Sequence, residues 1–338
     1  MQAQELKKEI YHHAARFGNI RTPENLMRLL KISPDRFVHL LEKPEYKTFF
    51  VPKKSGGQRQ IDAPCEELWV AQRNLKTFLN TLYIRFQPDA VMGFIPHYKG
   101  VNMKTGIVEN AKRHIGQPFV LNMDVANFFP SIKIAAIKKM FMHSFFNFPE
   151  ELAHVLALLT CYEGKLPQGA PSSPMLSNFL LYDADLKLSN LASKNNLTYT
   201  RYADDLTISG FIFPQDKFQD KVQEILLPYG LKLNEKKIRY QSFVGRQEVT
   251  GIKVNVKLNV DRKYIRRIRA ILHCWDMKGI KQAAHEFHDR KIHNADEFMN
   301  TVRGMIAHVG NVRGDDDEIF IKLHEKCWML ETYEACLR

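Results

Sequence analysis

The sequence predicts an α+β fold: a sheet-bearing centre of strands and crossing helices, followed by a C-terminal stretch that is helical only. Three observations carry this. Residues 119–124 form a near-continuous apolar run ending in an acid, as in a buried strand. Residues 200–209 are apolar or β-prone on both sides of Asp204-Asp205, which reads as a hairpin with the aspartates at its tip. Residues 261–338 carry apolar side chains at helical spacing throughout. With 338 residues, 45% of them hydrophobic, the chain can bury a sizeable core and has the length for two or three compact units.

The elements follow in order. Residues 1–48 read as short helices: Leu26, Leu29 and Leu30 have helical spacing, and Ser33-Pro34 has the form of an N-cap followed by a first-turn proline. Phe49-Phe50-Val51 and Gln60-Ile61-Asp62 bracket Lys53-Lys-Ser-Gly-Gly57, predicting a hairpin with a glycine turn. Residues 68–86 are helical by apolar spacing, with Glu66 and Glu67 in the first turn where the helix dipole favours acids. Asp124 lies on the next strand, and helices fill 133–162. Ser173-Pro174 opens one further helix, capped by the serine, whose apolar face runs through Met175, Leu176, Phe179, Leu180, Leu186 and Leu191. A helix over 218–229 ends at Gly230 in the C′ position, and strands are expected at 231–234, 238–243 and 248–256.

The chemistry concentrates in Tyr202-Ala-Asp-Asp205. Two adjacent carboxylates repel each other, and a hard divalent cation such as Mg²⁺ offsets that repulsion through oxygen ligands. A solvated acidic turn is the alternative. Asp124 weighs against it: an acid at the end of an apolar strand is expensive unless paired or bound to metal. Acids on neighbouring strands, far apart in sequence, can build a two-metal site for phosphoryl transfer.

These segments resemble the catalytic strands of reverse transcriptases, where an aspartate on one strand joins the pair of a Tyr-x-Asp-Asp hairpin. Further blocks resemble that family in its order. Gln58-Arg-Gln-Ile-Asp-Ala-Pro64 is similar to the fingers block that meets the triphosphate, and Leu166-Pro-Gln-Gly-Ala-Pro-Ser-Ser-Pro174 to the loop and helix start that receive the nucleotide. Gly230-Leu-Lys-Leu-Asn234 with Lys236 and Lys237 is similar to the next block, and Val249-Thr-Gly-Ile-Lys253 to the primer-gripping hairpin. The likeness runs over about residues 45–260. Two elements point to one branch: Asn110-Ala-Lys-Arg-His114 and Val249-Thr250-Gly251 match the Asn-Ala-x-x-His and Val-Thr-Gly elements of bacterial retron reverse transcriptases. Taken alone, an Asn and a His one helical turn apart also fit a satisfied core hydrogen bond.

The resemblance implies a right-hand polymerase: an N-terminal helical extension at 1–48, fingers at 49–118, a palm of antiparallel sheet plus helices at 119–256 (133–165 being a helical part of the fingers), and an α-helical thumb that binds RNA and template–primer at 257–338. It implies RNA-templated DNA synthesis, primed from a 2′-hydroxyl of a cognate structured noncoding RNA, giving branched RNA–DNA. A bacterial antiphage role with a separate effector protein is implied as well. Asp124, Asp204 and Asp205, with the Val125 carbonyl, would hold two Mg²⁺, Mn²⁺ being the alternative ion. Asp124 and Asp204 are the firmest ligands, and Asp205 is expected to contact metal less directly.

For the incoming dNTP, Arg59 offers a planar fork to phosphate, with Lys53 and Lys54 across the turn. A solvated cationic loop is the alternative for the lysines. Gln168 offers donor and acceptor, and Gly169 lets a substrate approach the backbone closely. The prolines around them also suit a rigid turn. Phe129 would block a ribose 2′-hydroxyl, while Phe128 should point to the other face of the strand, into the core. Asn110, His114, Val249, Thr250 and Gly251 are candidates for RNA or template–primer binding. So are Arg262, Arg266 and Arg269, a basic stripe opposite Ile265, Ile268, Leu272 and Trp275; a solvated amphipathic helix is the alternative.

Bulk properties agree. Net charge +12 and a pI near 9.3 suit a polyanionic partner. Five cysteines without Cys-x-x-Cys spacing read as reduced thiols of a cytoplasmic protein. His285, His288 and His293 near Cys274 fit no zinc spacing. The N-terminal residues lack an apolar signal core, and no stretch of about 18 apolar residues occurs, so no membrane span is expected. Two other readings stand beside the first. A group II intron type reverse transcriptase usually has a longer C-terminal region than the about 80 residues after Val256 allow. A catalytically silent RNA-binding or toxin-neutralising protein on the same fold is disfavoured by retention of all three carboxylates.

Overall fold

The computed structural model describes residues 2–53, 56–98, 104–143, 145–213, 217–287 and 295–336, and the side chains from residue 8 onward. Lys54, His288 and His293 lie outside the described residues. The chain divides into two compact units, each discontinuous in sequence: Met1–Gly106 with Leu121–Tyr240, and Ile107–Val120 with Gln241–Arg338.

The first unit opens with helices Gln2–Gly18, Pro23–Leu30 and Pro34–Glu42. The Thr22 hydroxyl accepts the Asn25 N–H at 3.3 Å and caps the second of them. Ser33 has the extended backbone of an N-cap, but its hydroxyl makes no capping bond. Strands β1 (Tyr46–Pro52) and β2 (Gln58–Pro64) pair antiparallel from Tyr46↔Pro64 to Pro52↔Gln58. Nearly all of β1 is exposed, whereas β2 becomes buried toward Pro64, so the hairpin is rooted at its base and bare at its tip. Helix Glu66–Tyr83 follows.

A four-stranded sheet has the order β4-β5-β3-β6, with β3 (Phe119–Asp124), β4 (Leu197–Tyr202), β5 (Asp205–Gly210) and β6 (Arg239–Ser242). β5 is buried along all but its first residue and β3 is buried at four of six, as their apolar runs require.

Four expectations change here, and a fifth in the second unit. The single helix from Ser173 is two, Ser173–Leu180 and Tyr182–Lys194, broken at Leu181, where ψ is 3°. Neither Gly nor Pro marks that break. Ser173 does not cap: its hydroxyl donates to the Pro167 carbonyl at 2.7 Å, tying the helix start to the preceding loop. Residues 231–234 make only one bridge, Val125↔Leu233, because the chain turns at once into the 3-10 helix Glu235–Lys237. Strand β3 stops at Asp124: Asn127 turns left-handed (φ 45°) and Phe128–Ser131 is a short helix. The expectation that Phe128 and Phe129 alternate on a strand therefore has no strand to rest on.

In the second unit, helices Arg262–Lys278, Ile280–Phe287, Ala295–Arg313 and Glu318–Cys336 enclose a core that includes Ile268, Trp275, Val302, Ile306 and Leu323. The Asp261 carboxylate caps the first of them by accepting the Lys263 N–H at 2.7 Å. The strand expected at 248–256 is a minimal hairpin, β7 (Glu248–Val249) and β8 (Ile252–Lys253). Its turn, Thr250-Gly251, has both φ values positive (49° and 81°), as a tight two-residue hairpin requires. Among the described residues no helix is long and apolar enough to cross a membrane. All five cysteines are free thiols.

Candidate active site

The hairpin of β4 and β5 closes through Ala203 and Asp204, with Tyr202 paired to Asp205. The Val125 N–H donates to the Asp204 carbonyl at 3.1 Å. That bond joins the end of β3 to the hairpin tip and brings Asp124 beside the Asp204-Asp205 pair. From the other side, Asn234 donates its N–H to the Asp124 carbonyl at 2.7 Å, and Ala126 donates to the Lys232 carbonyl at 2.8 Å. Residues from three distant stretches of sequence thus meet at one strand end.

The acids feel one another. Burial, then the charge of Asp124, raises Asp204 above the usual carboxylate range. Burial, then Asp204 and Asp124, pushes Asp205 up to about 6, although its side chain stays open to solvent. Cations oppose this: Lys237 and Arg59 act on Asp204, and Lys237 and Arg239 on Asp205. Lys237 Nζ lies 3.0 and 2.9 Å from the two Asp124 carboxylate oxygens.

Among the described residues, no three His, Cys, Asp or Glu side chains already stand grouped as metal ligands. The donor set nonetheless fits Mg²⁺ or Mn²⁺: oxygen ligands only, two carboxylates raised by burial and by neighbouring acids, and a third satisfied by an ammonium where a metal cation would serve.

The candidate nucleotide-binding residues gather in the same unit. Arg59 lies near the exposed tip of the β1–β2 hairpin, facing Val51 in the register. The 167–170 loop is joined to β2, since Asp62 donates its N–H to the Gln168 carbonyl at 2.9 Å. Gly169 is needed there for a reason other than substrate approach. Its φ is +133°, and a Cβ would stand 2.8 Å from the Ile61 side chain and 3.0 Å from the Asp62 carbonyl. What comes close to Gly169 is the protein's own hairpin. Asp62 is itself fixed by the Thr48 hydroxyl at 2.8 Å and the Gln60 amide at 2.9 Å. Phe128 is buried, whereas Phe129 is half-buried, its ring 6.0 Å from that of Phe94.

The remaining candidates lie in the second unit. Asn110, His114 and Val249 are fully buried, so any part they take in RNA handling is by shaping the fold. Burial pushes His114 down to about 3, keeping it neutral. The two short elements meet: the Thr250 hydroxyl donates to the Ile107 carbonyl at 3.0 Å, beneath the helix Ile107–Lys112 that carries Asn110. Gly251 is exposed at the turn. Arg262, Arg266 and Arg269 are exposed on the face of Arg262–Lys278 opposite the buried Ile265, Ile268, Leu272 and Trp275.

Sequence reading passed over Gly93, Asn178, Asp185 and Arg201, which surround the hairpin tip. The one available signal was an arginine inside a strand of otherwise β-prone residues, since a buried charge demands a partner. Lys237 was quoted within a block, but nothing local predicted its reach to Asp124, 113 residues away.

A fold with three acids gathered at the end of one strand and the tip of the neighbouring hairpin defines a class, and comparison agrees. The model of the family described as reverse transcriptase (RNA-dependent DNA polymerase) matches residues 51–287, and the chain belongs to that family. Its α+β architecture is that of the right-hand polymerases. Within the family it is of the retron type. It is 34% identical over 278 residues to the retron Mx65 reverse transcriptase of Myxococcus xanthus, covering 75% of this chain and 62% of that protein. It is 31% identical over 284 residues to the retron Ec86 reverse transcriptase of Escherichia coli, covering 79% and 84%. Among solved structures, telomerase of Candida albicans in complex with a fragment of telomeric RNA matches at 11% identity and a TM-score of 0.46, over 85% of this chain and 63% of that one.

Proposed function

We propose that this chain copies a cognate structured noncoding RNA into DNA, starting from a 2′-hydroxyl of that RNA and yielding a branched RNA–DNA product. The observation that supports this most is the convergence of Asp124, Asp204 and Asp205, where burial and then the neighbouring acids raise the latter two. Their carboxylates, with the Val125 carbonyl, would hold two divalent cations. Such cations, when bound, supply activation of the attacking hydroxyl and stabilisation of the departing oxygen. Lys237 keeps Asp124 charge-balanced until a cation replaces it.

Arg59, with Lys53, would bind the triphosphate of the incoming dNTP at the bare hairpin tip. Gln168 would orient the nucleotide, and Gly169 would lock its loop onto β2. Phe129 would exclude a ribose 2′-hydroxyl. The helical extension at 1–48, fingers at 49–118, palm at 119–256 and thumb at 257–338 remain the working division. In it, Arg262, Arg266 and Arg269 face the phosphate backbone. A separate effector and a role in antiphage defence belong to the same reading, in a cytoplasmic setting.

Primer extension on an RNA template in Mg²⁺ tests the core of it. Asp124→Asn and Asp204→Asn should each stay folded and lose on the order of a thousandfold in rate, the loss expected when charge stabilisation of several kcal/mol is removed. Near-normal extension by either variant rejects the assignment.

A further inference from the structure

The best-satisfied buried charge in the first unit lies behind the catalytic hairpin. Arg201 is 1% exposed and Asp185 is fully buried. Nε and Nη2 of Arg201 donate to the two oxygens of Asp185 at 2.8 and 2.6 Å. The Tyr199 hydroxyl donates to Asp185 as well, at 2.9 Å. A buried ion pair of this kind is weak evidence for stability, because apolar residues of similar volume often serve as well. Its third limb shows what else it does. Nη1 reaches the Asn178 side-chain oxygen and the Ala203 carbonyl, both at 3.1 Å.

Ala203 has φ +60°, left-handed backbone that a residue with a Cβ keeps only when its surroundings impose it. The surroundings do so from two sides. On one side is the arginine fork. On the other is Gly93, at which a Cβ would stand 2.5 Å from the Ala203 nitrogen. Gly93 is held in turn by the Asn178 amide, which donates to its carbonyl at 3.1 Å. The segment leading to it is tied to β4 by Arg201 N–H to the Ala90 carbonyl and Met92 N–H to the Arg201 carbonyl, both 2.8 Å. Asn178 therefore links the two arms that grip one residue, Ala203, through the peptide groups on either side of it, and that residue immediately precedes Asp204.

We propose that Arg201, clamped by Asp185 and Asn178, is a positioning residue that sets the 202–205 turn and thereby aims the carboxylates of Asp204 and Asp205. It touches neither carboxylate, and acts only through the Ala203 carbonyl. The inference rests on the reading of those acids as metal ligands.

Two variants press on the turn from opposite sides. Arg201→Lys keeps a cation against Asp185 but loses the fork that reaches Ala203. Gly93→Ala leaves the ion pair whole and forces the Tyr202–Ala203 peptide away. Each should weaken Mn²⁺ binding to the metal-free protein, read from the EPR signal of free Mn²⁺, by roughly tenfold. Each should also lower kcat by up to about a hundredfold with the dNTP KM changed little, since misplacement by about 1 Å has that effect. Melting curves give the folded fraction to which both readouts are normalised. Wild-type Mn²⁺ binding and kcat in the folded fraction of either variant, whatever its melting temperature, overturn the positioning role. Asp204→Asn, run alongside, separates the two ideas. Unchanged Mn²⁺ binding in Asp204→Asn removes the metal reading and the positioning role with it. Lost binding in Asp204→Asn, with normal binding in Arg201→Lys and Gly93→Ala, removes the positioning role alone.

Discussion

Asp205 is the residue at which function and stability pull against each other most plainly. Its carboxyl sits near 6 in the folded protein, against an ordinary aspartate value of 3.8. At pH 8 it is ionised both folded and unfolded, and the folded state bears the desolvation and the repulsion from Asp204 and Asp124. Below about pH 3.8 it is protonated in both states and the penalty is gone. Asp205→Asn should therefore raise the melting temperature of the metal-free protein at pH 8. The gain should shrink as pH falls through about 6 and disappear at the acid end. Melts in a chelator across this range read it directly; an equal gain at every pH would mean that ionisation of Asp205 is not the cause. Phe129 tests the proposed discrimination between sugars. Phe129→Ala should lower the ratio of dNTP to NTP incorporation efficiency, and Phe128→Ala, which empties a buried site, should chiefly destabilise. A larger change in the ratio at Phe128 would reverse the assignment of the two rings.

At the scale of elements, what the sequence made legible was whatever local chemistry decides. The β4–β5 hairpin was readable because two β-prone runs flank a two-residue turn. Helix Arg262–Lys278 was readable because an apolar and a basic stripe run along it at helical spacing. The break at Leu181 was not, since no residue there resists a helix; Ser173–Leu180 packs on helix Glu66–Tyr83, and Tyr182–Lys194 on β4. The end of β3 was missed for a similar reason: Phe128-Phe129 favour a strand, but the chain turns at Asn127. The grip of Arg201 on Ala203 was hidden because its partners Asp185 and Asn178 come from other helices. Gly169 shows how a right residue can be chosen with an incomplete reason, for its missing Cβ admits Ile61 and Asp62. Gly169→Ala should consequently part the loop from β2 and break the Asp62–Gln168 backbone bond, costing about 1–3 kcal/mol in strain. The measurable result is a lower melting temperature together with a raised dNTP KM. Normal values of both would show that loop and hairpin need not touch.

At the scale of the whole molecule, the two segments that resemble retron elements, 110–114 and 249–251, fall in the second unit, and the stretches that carry them pack on each other there. Thr250 bonds Ile107 at 3.0 Å, the Gly116 N–H donates to the Val254 carbonyl at 2.9 Å, and the Gln247 amide donates to the Gln117 carbonyl at 2.9 Å. Asn110, His114 and Val249 are buried, whereas the Gly251 turn and Arg262, Arg266 and Arg269 are exposed, so in the proposed reading the former shape the unit and the latter meet RNA. Structured RNA is recognised largely by shape, backbone and 2′-hydroxyl contacts, and a rigid basic support suits that mode. Two consequences can be measured. Protein expressed with its native locus should copurify with RNA joined to DNA by a 2′–5′ linkage, which debranching enzyme converts to two separate strands on a denaturing gel. A product joined only through an ordinary 3′ end would leave RNA-templated synthesis standing and remove the branched-product reading. Thr250→Val, which deletes the bond to Ile107 without emptying the core, should depress synthesis on the cognate RNA more than on a generic annealed primer. If both substrates lose equally, the hairpin serves the fold and not the choice of RNA.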